Sequence, residues 1–239
     1  MYEYRGLQDA LFMALYIGAA TFALLACLYL LLRRGNAFVG EEIRSSLRLR
    51  RWTAGLLVAM AASHVWWYVI GIYWLADDRL VRNIVNIMLD HMTLVPLTMA
   101  VLLALLQDRH RPLWPWFVAQ SPVMVFAAIG ISQRSTFWGC EVAHCWQLGI
   151  VAIFVTYYIY ALWRYNRWLL DNYADLEHKE VWQSLVFVLV FLALYVVYTS
   201  NAGELLREYL SQVITFVIIT FLLWRAETLQ ELEDNSEDN

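Results

Sequence analysis

The sequence predicts an all-α, polytopic membrane protein: a bundle of seven transmembrane helices, N-terminus outside and C-terminus cytoplasmic. Three observations predict it. Of its 239 residues, 61% are hydrophobic and 16% charged, with mean hydropathy +0.51, whereas a soluble domain carries about a quarter charged residues. Apolar runs of bilayer-crossing length recur from end to end. Finally, twelve of the 17 Lys and Arg residues fall on one set of connections (33–51, 109–111, 164–179 and 225) and five on the other. The positive-inside bias assigns the first set to the cytoplasm. Seven spans with their connections, at about 30 residues each, use nearly the whole length and leave no room for a soluble domain of about 50 residues.

Span one covers 10–32, an uncharged run closed by Arg33 and Arg34. Its length and the basic pair behind it mark a retained anchor rather than a cleaved signal peptide. Ala19, Ala23 and Cys27 repeat at four-residue steps, a small-residue stripe for close helix contact. The connection 33–51 carries six Arg and reads as a positive-inside anchor, with a surface amphipathic helix as the alternative. Span two, 52–76, repeats the small-residue pattern at Gly55, Ala59 and Ser63. It holds His64 near its midpoint, with Trp66, Trp67 and Tyr68 following.

Span three, 83–106, organises the reading. As a helix it sets Asn83, Asn86, Asp90 and Thr93 on one face, with His91 about 100° round from Asp90. Polar groups at membrane depth are expensive, so this stripe faces other helices or a water-filled cavity. Pro96 predicts a kink. Span four, 113–133, carries a second kink at Pro122, beside Gln120 and Ser121.

The stretch 137–147, FWGCEVAHCWQ, reads as an outer loop. On the oxidising side a disulfide between Cys140 and Cys145 is expected; free thiols and a metal site with His144 and Glu141 are the alternatives, the latter lacking the usual four-ligand spacing. Span five, 146–163, leads into the polar loop 164–182. Span six is 181–203 and span seven 204–224, together closing a membrane domain of residues 1–225. Residues 226–239 read as an acidic cytoplasmic tail that supplies much of the net charge of −4.

Two patches carry a resemblance. DNYADLEHKEVW (171–182) and LLWRAETLQEL (222–232) resemble the membrane portions of Bacteroidetes sensors and regulators. In those proteins a multi-helix membrane domain stands before a histidine-kinase or AraC-type output module. The resemblance implies a sensory role in a bacterial inner membrane but assigns no ligand to any residue. The chain departs from that family by ending at Asn239 without an output module, so the expectation is a stand-alone relative or a chain cut before its output part.

The leading expectation is therefore a sensory or receptor-type module that binds a ligand or partner and passes the signal to a cytoplasmic partner. His64, Asn83, Asn86, Asp90 and His91 form the polar floor of its pocket, and Trp67, Tyr195 and Gln212 the wall. Asp171, Tyr173, Asp175 and Glu177 offer a docking loop for a cytoplasmic signalling protein. Catalytic residues, metal ligands and a cofactor are not expected, and nothing is basic enough for a nucleic-acid surface. The oligomeric state is left open. The alternatives are a structural partner subunit, or a redox or metal-dependent membrane enzyme using His64 and His91. As axial ligands of a b-type haem, the two imidazoles are mismatched in depth by roughly 6 Å. A seven-helix zinc hydrolase is disfavoured because span seven lacks His, and retinal binding because it lacks Lys.

Overall fold

The computed structural model describes residues 7–33, 45–70, 75, 77–174, 176, 179–186, 188–189 and 204–232, without the side chains of 7–9 and 204–208. The expectations on Tyr195, Asp175, Glu177, the end of span six, most of the 33–51 connection and the tail beyond 232 lie outside the described residues. Among the described residues the protein is all-helical, with α1 Leu7–Leu32, α2 Leu47–Val69, α3 Arg79–Leu105, α4 Trp114–Val118, α5 Pro122–Ser132, α6 Ala143–Asn172 and α7 Glu204–Thr228. Among the described residues, five helical segments are long and apolar enough to cross a membrane: Ala10–Leu32, Arg79–Leu105, Trp114–Ser132, Phe137–Asn172 and Tyr209–Thr228. Their outward faces are greasy. Ile17, Leu25, Val125, Ile153, Trp163 and Val217 are each more than half exposed, as a lipid-facing surface requires.

The chain divides into two compact units, residues 1–64 with 182–230, and residues 65–181 with 231–239. In the first, α1 packs along α7. The small-residue stripe does what its spacing predicts: Ala19, Ala23 and Cys27 are buried. Phe22 stacks on Phe216 with ring centroids 5.9 Å apart, and Phe12 meets Tyr209 edge-on at 5.9 Å.

The ends of α1, α2 and α7 are tied by a buried charge cluster. Arg50 Nη1 donates to Glu227 Oε1 at 2.9 Å and to Ser45 Oγ at 3.1 Å. Its Nε donates to the Leu30 carbonyl at 3.3 Å, and Nη2 donates to the Arg33 carbonyl. Tyr29 completes the carboxylate, donating to Glu227 Oε2 at 2.9 Å. Glu227 is 0% exposed. Sequence reading placed it in a solvated acidic tail; instead α7 continues to Thr228 and carries it inside. The apolar count ends at Trp224, but the buried Arg50 supplies the partner that lets the helix run on.

In the second unit α3 runs without interruption across Pro96 and packs against α5. Span four is broken rather than kinked. Pro122 has no N–H to offer the Val118 carbonyl, and Ser121 N takes that acceptor at 3.0 Å while Gln120 N bonds to the Phe117 carbonyl at 3.2 Å. These three-residue steps form the turn 119–121 between α4 and α5.

The stretch expected as an outer loop is helical. A π-helical turn, Phe137–Val142, leads directly into α6. Cys140 and Cys145 are both free thiols on this helical run, so the expected disulfide is not formed: the sequence reading assumed a loop able to fold the two sulfurs together. The polar loop 164–182 is likewise shorter than expected, since α6 continues to Asn172. Tyr165, fully buried, donates from its hydroxyl to the Lys179 carbonyl at 3.0 Å and holds the remaining connection against the helix.

Two glycines allow a close helix approach. A Cβ on Gly130 would lie 2.5 Å from Gly139 Cα, and one on Gly139 would lie 2.4 Å from Ile84 Cδ1. Gly149 has open space around it. Gly130→Ala is expected to destabilise by about 1–3 kcal/mol because it meets backbone. Gly139→Ala, meeting the buried, branched Ile84 at both Cδ1 and Cγ1, should cost a comparable amount, and Gly149→Ala, in open space on α6, should be neutral or slightly stabilising, all read by thermal unfolding in detergent. In the charge cluster, Arg50→Met or Glu227→Gln alone should cost about 3–5 kcal/mol, and Arg50→Met with Glu227→Met should recover much of the loss. Chemical unfolding of the three variants measures this.

Candidate functional site

The polar stripe of α3 divides into two environments. Asp90 faces the end of α2, where Trp66 Nε1 donates to Oδ1 at 3.1 Å and Trp67 Nε1 donates to Oδ2 at 2.7 Å. The consecutive tryptophans reach separate oxygens, so one carboxylate is gripped by two indoles. Charge-assisted bonds of this kind are stronger than neutral ones. Thr93 returns its hydroxyl to the Leu89 carbonyl at 2.7 Å. Asn86 is 0% exposed, and neither atom of its carboxamide has a hydrogen-bond partner. Asn83 stands half-buried one turn earlier.

His91 turns toward α6. Its ring meets that of His144 edge-on with centroids 5.2 Å apart. It is 6% exposed, and its Nδ1 has no partner. The register comes from Ile84, two turns earlier on the same face of α3 and packed on Gly139 of the π-turn. That contact brings His144, five residues beyond Gly139, opposite His91.

Gln147 follows His144 by three residues and so shares its side of α6. It is 1% exposed, with both carboxamide atoms unpartnered. Trp146 Nε1 donates to the Ala119 carbonyl at 3.0 Å, which sets this turn of α6 against the break between α4 and α5. Gln120 lies in that break, 0% exposed and also with both carboxamide atoms unpartnered. His91 and His144 thus meet between α3 and α6, with Gln147 one turn beyond His144 and Gln120 next to the Ala119 that Trp146 holds; we refer to these four as the polar layer. Each unpartnered buried carboxamide carries a desolvation cost of about 1–3 kcal/mol. Non-helical backbone at membrane depth is tolerated only where protein or a lined cavity covers it.

The expected pocket residues do not all fall in one unit. His64 and Gln212 belong to the first; Asn83, Asn86, Asp90, His91 and Trp67 belong to the second. His64 Nδ1 donates to the Met60 carbonyl at 2.8 Å, and Nε2 pairs with the Gln212 side chain at 3.1 Å. Both nitrogens of His64 are then engaged by protein, which weighs against its serving as a haem ligand. Of the docking-loop residues, Asp171 is exposed on the last turn of α6 and Tyr173 caps that helix in extended conformation.

The sequence names Gln120 only as a neighbour of the Pro122 kink and His144 only as a ligand of the alternative metal site, and it gives Gln147 no role. The three-residue step from His144 to Gln147 and the polar pair beside Pro122 were the available signals. At the opposite end of α3, Asp78 accepts from Val81 N at 3.2 Å and from Arg134 Nη2 at 2.8 Å. The amide, seconded by the guanidinium, holds its carboxyl below the usual value.

Compared with known proteins, the chain matches no family model, no curated protein and no solved structure.

Trp67→Phe should destabilise by about 1–3 kcal/mol, because it strips a close donor from a carboxylate left behind. Trp66→Phe, at the longer contact, should cost less. Adding Asp90→Leu to the Trp67→Phe change should remove most of its penalty, read as unfolding midpoints in one detergent.

Proposed function

We propose that the chain is a sensory, receptor-type module with seven spans and its N-terminus outside, in a bacterial cytoplasmic membrane. A small ligand enters the second unit, settles against the layer of His91, Gln120 and Gln147, and shifts the interrupted span. The change is passed to a cytoplasmic signalling partner. The observation that carries this reading is the set of fully buried carboxamides with no partner at a break in a membrane-spanning segment. Intramembrane polar groups at such breaks are where membrane proteins hold their ligands. The likeness of residues 171–182 to Bacteroidetes sensors supports the sensory role, and the exposed Asp171 at the end of α6 offers a contact for the partner.

The test is made in the native host. Deleting the chain should alter a defined set of transcripts, wild type should restore them, and Gln147→Leu, inserted at the same level, should not. Transcript profiles indifferent to all three strains would reject the reading.

A further inference from the structure

We propose that Gln120, Gln147 and His91 line a binding site for a small uncharged molecule bearing an amide, urea or hydroxyl group. The site lies between α3, the α4–α5 turn and α6. The proposal rests on the receptor reading above and names the chemistry of its ligand.

The donor and acceptor inventory makes the choice. Each carboxamide offers an NH2 donor and a carbonyl acceptor in one plane, and all four of these groups are unpartnered in the two glutamines. A planar ligand that carries a donor beside an acceptor satisfies both at once. His91 adds Nδ1, and His144 closes that side with its ring edge-on at 5.2 Å. The layer contains no Lys, Arg, Asp or Glu. Asp90, next to His91 in the chain, lies about 100° round α3 and is gripped by Trp66 and Trp67. Glu141 is exposed at the entry to α6. An ion in the layer would meet no opposite charge, and an unpaired charge in a low-dielectric interior is far costlier than a neutral polar group. The site therefore selects against both anions and cations.

Three compounds of one shape and different charge test this: acetamide, acetate and acetamidinium. Each is titrated into the detergent-purified full chain while the unfolding temperature is followed. Four heavy atoms support dissociation constants in roughly the millimolar range. The expected result is an upward shift of a few degrees with acetamide near tenfold its dissociation constant, and none with the two ions. Gln147→Leu should abolish the acetamide shift, whereas Gln147→Glu, which keeps the shape, should move the preference to acetamidinium. Should the leucine variant fail to insert, the glutamate variant decides alone.

A site that holds only water leaves all three compounds without effect, and that result overturns the proposal. So does a Gln147→Leu or Gln120→Leu protein that unfolds well below wild type without ligand, because the carboxamides would then already be satisfied inside the protein rather than open to a ligand. If acetamide fails to bind while Gln147→Leu still silences the host transcripts, the ligand class is wrong and the receptor reading stands. If acetamide binds and the transcripts are indifferent, the site stands and the receptor reading falls.

Discussion

Inside hydrocarbon a polar atom has no water to fall back on, so every donor and acceptor on a membrane helix must find its partner in the protein. The chain meets this constraint unevenly. Among the described residues, several charged side chains at or near the interior are paired. Glu227 has Arg50 and Tyr29, Asp90 has two indoles, and Arg111 has Asp108 and the Leu106 carbonyl. Among the described residues, the neutral carboxamides of Asn86, Gln120 and Gln147 are left open at both their oxygen and their nitrogen. The order follows the energies. An unpaired buried charge costs many times what an unpaired amide does, so a fold can keep open amides where it cannot keep open charges.

The open groups converge because of backbone irregularities on both sides of them. Pro122 interrupts one span and turns Gln120 inward, while the π-turn at Phe137–Val142 sets the phase of α6. Between these lies the contact of Gly130 with Gly139, where no side chain holds α5 and the π-turn apart. Ile84 fills the remaining space and fixes α3 in register. Everything deeper in the layer depends on that contact. One extra methyl at Gly130 must displace backbone, and His144 and Gln147 would then move relative to His91.

Apolar run length and small-residue spacing made much of the fold legible. The runs at 10–32, 83–106 and 204–224 each coincide with a long helix, and the stripe of Ala19, Ala23 and Cys27 is buried as its period requires. Helix ends were less legible, because hydropathy reports where lipid stops and not where hydrogen bonding stops. α6 continues nine residues past Trp163, and α7 four past Trp224, on polar sequence. The 137–147 stretch misled for a related reason: Gly139, Glu141 and two cysteines look like loop composition, yet they lie on a continuous helical run in which Gly139 makes the close contact. Of the candidate site, the placing of Asn86, Asp90 and His91 along one helix was legible from their spacing. Gln120, His144 and Gln147 were not, since their meaning depends on which helices pack together, and single-helix periodicity carries no such information.

A ligand moves a bundle only by the difference in its affinity for two arrangements. That places a demand on where its contacts sit. Contacts to one rigid helix would be equal in both states and would shift nothing, however tight the binding. Here the two carboxamides stand on different elements: Gln147 on the long, continuous α6, and Gln120 on a turn held by three-residue hydrogen bonds between two short helices. A molecule that bridges them has full affinity only when the turn lies close to α6, so binding and the position of α4 are coupled by geometry. Trp146, which donates to Ala119 beside Gln120, already draws the two elements together without ligand. The energy a bridging ligand must add is correspondingly small, which is what lets a compact, uncharged molecule with few contacts act as a signal.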